Sequence, residues 1–82
     1  VRVAYTPPVY PTRAAARGIE GWVDVEFTVG RDGRVRDARV ADASAPGEFD
    51  NVALEAVGRW RYEPLPAERR VTQRLRWVLD GR

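Results

Sequence analysis

The sequence predicts an α+β sandwich in which two helices cover one face of a three-stranded antiparallel sheet with strand order 2-1-3. Three observations lead there. Residues 19–29 alternate apolar and polar side chains with period two, and residues 49–60 repeat their apolar side chains at helical spacing. Gly30-Arg31-Asp32-Gly33 separates the first alternating run from a second one at residues 34–43, as a hairpin turn would.

Composition limits what such a sandwich can do. At 82 residues the chain is one domain, of a size that buries only about 60–65 % of the surface its unfolded form exposes. Apolar residues make up 44 % and charged residues 32 %, which is globular, and no apolar run approaches the ~18 residues of a membrane span. There is no cysteine for a disulfide or thiolate metal site. There is no histidine either, which removes the commonest general base and metal ligand. No cofactor or metal is expected.

All 14 basic residues are arginine, against 12 acids, for a net charge of +2. A nucleic-acid binder concentrates its basic residues on one stripe. Here Asp24, Glu26, Asp32, Asp37 and Asp42 interleave with Arg31, Arg34, Arg36 and Arg39, so nucleic acid is not an expected partner. An enzyme would have to work with carboxylates and Tyr5, Tyr10 or Tyr62. Asp24 and Glu26 on an open sheet face would lack the burial that raises a carboxyl pKa for acid–base work. The glycines of "GRDG" join two strands, whereas a phosphate-cradling loop leads from a strand into a helix. The start at Val1 reads as that of a piece cut from a longer chain.

Val1 to Pro11 is predicted to be an extended lead-in, since Pro7, Pro8 and Pro11 forbid a paired central strand, and residues 12–82 form the domain. Thr12 is placed to cap a helix through its hydroxyl, Ala14, Ala15 and Ala16 propagate it, and Gly18 suits the left-handed residue that ends it. A helix this short requires packing to persist, and Tyr10 is expected to pack there.

In the first strand Ile19, Val23, Val25, Phe27 and Val29 share one face, while Glu20, Trp22, Asp24, Glu26 and Thr28 share the other. If Val29 opposes Arg34, then Val23 meets Val40 on the inside and Asp24 meets Arg39 on the outside. Val35 breaks the parity of Ala38 and Val40, so a bulge or twist is expected near the turn. Phe49, Val52, Ala53, Ala56, Val57 and Trp60 then define the longer helix. Asp50 is a plausible N-cap, with Phe49 and Leu54 as a hydrophobic staple, and Pro64 prevents continuation. After a polar loop at residues 65–70, Val71, Leu75, Trp77 and Leu79 alternate with Thr72, Arg74, Arg76 and Val78 in a third strand. Its arginines face outward, and Arg39 on one side with Arg74 or Arg76 on the other is expected to flank Asp24 and Glu26.

Several stretches together resemble the C-terminal domain of the TonB energy transducers of Gram-negative envelopes. They are Tyr10-Pro11, "RGIEG" with Gly18 and Gly21, "V-x-V-x-F-x-V" at 23–29, "DGRV" with Asp32 and Gly33, and "RWRYEP" with Trp60, Arg61, Tyr62 and Pro64. The resemblance covers residues 7–79 in order and spacing. Trp22, Trp77, Gly58 and the loop "LPAERR" depart from the pattern. Trp60 and Tyr62 read as core and helix-exit anchors.

Order 2-1-3 leaves one edge of the third strand unpaired, and an extended peptide can join such an edge by β-augmentation. The resemblance implies that use. It makes Val71, Thr72, Gln73, Arg74, Leu75, Arg76, Trp77, Val78 and Leu79 the partner-binding segment for the TonB box of an outer-membrane transporter, with Arg74 and Arg76 either assisting against acidic groups or balancing Asp24 and Glu26. It further implies a periplasmic domain of an inner-membrane-anchored protein that works with ExbB and ExbD through a part absent from these residues. The alternative is a TonB-like interaction or self-association module of another envelope protein, a homodimer through the strand edge included.

Overall fold

Strict burial of every second residue makes Gly21–Val29 the spine of the fold. Val23, Val25, Phe27 and Val29 are buried, and Trp22, Asp24, Glu26 and Thr28 form the partly open face. The computed structural model describes residues 2–79; Val1 and residues 80–82, the outer ends of the predicted lead-in and domain, lie outside the described residues. In chain order the elements are β1 (Arg2–Ala4), α1 (Thr12–Ala16), β2 (Gly21–Val29), β3 (Val35–Ala43), α2 (Asp50–Gly58), β4 (Arg61–Tyr62) and β5 (Arg69–Trp77). The main sheet has the order β3-β2-β5, antiparallel throughout, which is the predicted order 2-1-3. Its inner face buries Val23, Val25, Phe27, Val29, Leu75 and Trp77 against Ala14 of α1, Phe49, Ala53, Ala56 and Val57 of α2 and its N-terminal flank, and Trp60.

The termini of α1 follow from local chemistry, with one correction. Pro11, rather than Thr12, is the residue before the first helical turn, and no side chain caps it. Gly18 takes φ 69°, its N–H donates to the Ala15 carbonyl, and the Ile19 N–H reaches back to the Ala14 carbonyl at 2.9 Å. That is a Schellman closure, which needs a residue tolerant of positive φ. Tyr10 then donates its hydroxyl to the Ile19 carbonyl at 2.5 Å and meets the ring of Phe49 edge-on. Asp50 is likewise the first residue of α2 rather than its cap, and its carboxylate accepts from the Gly47 N–H at 3.1 Å.

The predicted register of β2 with β3 is corrected. Val29 pairs with Val35, Val25 with Val40, Glu26 with Arg39, and Asp24 with Asp42. The register shifts twice, between Asp24 and Val25 and between Glu26 and Thr28, and each shift inserts an extra residue on the β3 side. The second surrounds Asp37, which has φ 53°. Two insertions bring Val35, Ala38, Val40 and Ala43 to the core side together, all packed against it, which a single parity does not allow.

A second, two-stranded sheet was not predicted. β1 pairs antiparallel with β4, so the lead-in contains a strand. β4 also ties down the tip of the β2–β3 hairpin: the Tyr62 N–H donates to the Gly33 carbonyl at 2.9 Å, the Leu65 N–H to the Arg31 carbonyl at 3.1 Å, and Arg34 and Arg61 form a bridge. A Cβ at Gly33 would lie 2.0 Å from the Tyr62 carbonyl oxygen, at φ 83°.

Two substitutions follow with opposite signs. Gly33→Ala is expected to destabilise the domain by about 2 kcal/mol or more, because the clash is with backbone and the φ is left-handed. Asp37→Gly relieves a left-handed non-glycine residue and is expected to stabilise by up to about 1 kcal/mol. Urea midpoints of the two variants against the parent check both directions.

Candidate functional site: the free rim of β5

The direction of each backbone group on β5 follows from Trp22. Its N–H donates to Ser44 Oγ at 2.8 Å and its carbonyl accepts from the Ser44 N–H at 3.0 Å, so both groups face β3. Gly30, of the same parity, also faces that way, its N–H on the Arg34 carbonyl at 2.9 Å. In an antiparallel ladder the residues alternate in which neighbour they bond. Gly21, Val23, Val25, Phe27 and Val29 therefore face β5, where they oppose Trp77, Leu75, Gln73, Val71 and Arg69 without a register break. The intervening residues Arg70, Thr72, Arg74 and Arg76 turn their N–H and C=O groups away from the sheet. Among the described residues no strand pairs with that rim.

A groove of about 440 Å³ runs along the rim, with Gln73 to Val78 on one side and Tyr5, Pro8 and Tyr10 on the other. The lead-in forms the far wall because two buried indoles hold it. Trp60 donates its ring N–H to the Thr6 carbonyl at 2.9 Å, and Trp77 donates to the Val9 carbonyl at 3.0 Å. Arg2 adds cation–π contacts over Tyr5 at 4.2 Å and Trp60 at 4.6 Å. The wall residues Arg2, Tyr5 and Pro8 were not assigned to the site from sequence; the proline cluster signalled an extended segment but not what it lies against.

The predicted partner segment is only partly on the strand. Val71, Gln73, Leu75 and Trp77 bond to β2 and point to the core side, where Leu75 and Trp77 are buried. Thr72, Arg74 and Arg76 supply the rim. Val78 and Leu79 lie beyond the end of β5, a correction to the predicted strand; Val78 is exposed and lines the groove, whereas the Leu79 N–H is tied back to the Glu20 carboxylate at 2.8 Å. Of the motif residues, Asp32 accepts from the Arg34 N–H at 3.0 Å, and Tyr62 packs on Phe27. Gly21 sits where a Cβ would meet Ser44 Oγ at 2.7 Å. The Arg61 guanidinium bonds the Trp60 carbonyl at 2.9 Å, and Pro64 is exposed in the loop after β4.

The outer face of the sheet carries a charge pattern shifted from the predicted one. Asp24 faces Asp42 on the β3 side and takes a two-pronged contact from Arg74 on the other, Nε to Oδ1 at 2.7 Å and Nη2 to Oδ2 at 2.9 Å. Glu26 is the residue flanked on both sides, by Arg39 at 2.6 Å and Arg70 at 3.5 Å. Arg74 also lies 3.7 Å above the ring of Trp22. Arg36 pairs with Glu68 across the loop before β5. The Arg74 contact holds the Asp24 carboxyl below its ordinary range, and Arg70 with Arg39 does the same for Glu26.

Both carboxyls have folded values below their unfolded ones, so the stability they contribute is complete above the ordinary values of 3.8 and 4.5 and is lost as pH falls toward the lowered folded values. The urea midpoint is expected to drop on acidification below about pH 5, and Asp24→Asn is expected to show a smaller drop over the same interval. An equal drop in parent and variant would remove Asp24 from the account.

Comparison with known proteins is consistent across sequence and structure. The profile of the family described as Gram-negative bacterial TonB protein C-terminal matches residues 6–79. Protein TonB of Pseudomonas aeruginosa is 48 % identical over 58 residues, covering 71 % of this chain and 17 % of that protein. Protein TonB of Escherichia coli K12 is 46 % identical over 57 residues, covering 70 % of this chain and 24 % of that protein. The chain thus spans about a fifth of the length of these two relatives. The solution NMR structure of the P. aeruginosa TonB C-terminal domain superimposes with a TM-score of 0.90 at 36 % identity, covering 100 % of this chain and 88 % of that one. With the profile match spanning nearly all the described residues and the fold shared throughout, the chain belongs to the family of Gram-negative bacterial TonB protein C-terminal domains.

Proposed function

We propose that the chain is the receptor-engaging module of an energy transducer and that it captures the TonB box of an outer-membrane transporter as an added strand on the Arg70–Arg76 rim. In this reading it is a periplasmic domain without catalytic activity of its own, tethered to the inner membrane by preceding chain. That chain engages ExbB and ExbD and delivers force derived from the proton gradient for uptake of nutrients such as siderophores. No helix among the described residues is long and apolar enough to cross a membrane, so the tether would lie elsewhere in the full protein.

The observation that carries the reading is the rim itself. It runs through Arg70, Thr72, Arg74 and Arg76 without a proline, beside a groove able to take a guest's side chains. Backbone pairing supplies affinity for almost any extended sequence, and the groove supplies selection at alternate positions. Pairing of two copies through the same rim would bring the arginines of both strands together, which favours a captured peptide over self-association.

A proline at Thr72 tests the reading. The Thr72 N–H points away from β2, so Thr72→Pro removes no ladder bond within the domain, and proline is tolerated on such an edge. The variant is expected to keep the parent's folded amide spectrum and to lose binding of a TonB-box peptide by at least about tenfold. Peptide-induced amide shifts confined to α1 and α2, or a Thr72→Pro variant that binds as well as the parent, would overturn it.

A further inference from the structure

We infer that Arg76 selects guest peptides carrying a carboxylate opposite it, so that the preferred ligand is an extended segment with apolar side chains toward the groove and an acidic one on the outer face. The inference rests on strand addition at β5 and specifies its ligand.

The alternation follows from the ladder. A guest bonded to the rim pairs with Thr72, Arg74 and Arg76, and directly opposed residues share a face. Guest residues opposite Thr72, Arg74 and Arg76 therefore point to the outer face. Those between, opposite Gln73 and Leu75, point inward to the groove bounded by Tyr5, Pro8 and Tyr10, where apolar side chains are favoured.

The three outward arginines of β5 are not equivalent. Arg70 donates to Thr28 Oγ1 at 2.7 Å and to the Asp37 carbonyl at 3.0 Å, and pairs with Glu26. Arg74 is clamped on Asp24 by two hydrogen bonds and stacked on Trp22. Arg76 has no hydrogen bond or ion pair among the described residues. Its neighbour across β2 is Trp22, which offers no carboxylate and is already covered by Arg74. The charge of Arg76 reaches Asp24, but the hydrogen bonds of that carboxylate go to Arg74; an arginine beside a peptide-accepting rim with no carboxylate bonded to it can receive one from a guest, and the planar fork of its guanidinium suits that partner. An acid opposite Arg74 would have to displace Asp24, which biases the guest's acid toward Arg76.

The test is a double-mutant cycle. The probes are two capped heptapeptides, Thr-Val-Glu-Val-Thr-Val-Thr and the same peptide with glutamine in place of glutamate, titrated by NMR into the parent, Arg76→Gln and Arg76→Lys. In the parent the glutamate peptide is expected to bind about three- to fivefold more tightly, with the advantage shrinking as salt rises. In Arg76→Gln the two peptides should bind alike, and Arg76→Lys should restore part of the preference. A preference that survives Arg76→Gln, or equal binding of both peptides by the parent while the Thr72, Arg74 and Arg76 amides shift, overturns the inference but leaves strand addition standing. If neither peptide moves those amides, strand addition falls and the inference with it.

Discussion

Two indole N–H groups organise the molecule around the candidate site. Trp60 and Trp77 contribute the largest side chains near the end of the core, and each ring carries one donor that burial would otherwise strand. Both donors are satisfied by carbonyls of the proline-rich lead-in, at Thr6 and Val9. The arrangement solves two problems together. The core can bury the bicyclic rings, and a segment with too little helical or strand propensity to hold itself is fixed at two points three residues apart. Because Trp77 lies on β5, the fixed segment runs beside the open edge and turns it into a groove.

The aromatic contacts extend this tie in both directions. Phe27 on the central strand packs edge-on against Trp60, and Phe49 stacks on Trp77 at a centroid distance of 4.6 Å. Tyr10 closes the chain of rings by contacting Phe49 and bonding the carbonyl of Ile19, the last residue of the Schellman closure of α1. The short first helix, unable to persist alone, is thus held between a glycine-dependent closure and an aromatic anchor. β4 and the loop after it perform the corresponding task at the other end, where Tyr62 and Leu65 fasten the hairpin tip.

An open sheet edge invites aggregation unless it is guarded. On β5 the guard is charge: Arg70, Arg74 and Arg76 face outward from the residues whose backbone groups are free. Two of the three are turned back onto the sheet by Glu26 and Asp24, which leaves the rim sterically open while keeping positive charge along it. Such an edge repels an identical copy more than it repels an acidic or neutral extended chain. The bulges of β3 take part indirectly. By moving Arg39 opposite Glu26, they leave Asp24 facing Asp42 on that side, and the cation hydrogen-bonded to Asp24 is Arg74 on the other.

Period-two alternation at residues 19–29 and helical spacing at residues 49–60 were enough to determine the central strand, the longer helix and the layering of helices on one sheet face, because burial of one face is a local pattern repeated along a single segment. Gly18 and Gly33 were legible for the same kind of reason, each marking a turn that requires positive φ. The register of β3 was not. Val35 signalled a parity break, but the placement of two insertions depends on which β3 side chains fit over the core, and that is settled by packing. Nor could the sequence show that Arg2–Ala4 pairs with Arg61–Tyr62, since strands this short carry no periodicity. Among Val71 to Leu79 the candidate segment was visible, whereas the division into ladder residues and rim residues, the loss of Val78 and Leu79 from the strand, and the wall built by Tyr5 and Pro8 came from the tertiary structure alone. Hydrogen-bond direction and contact across distant segments are properties of assembled neighbours, and no single stretch of chain encodes them.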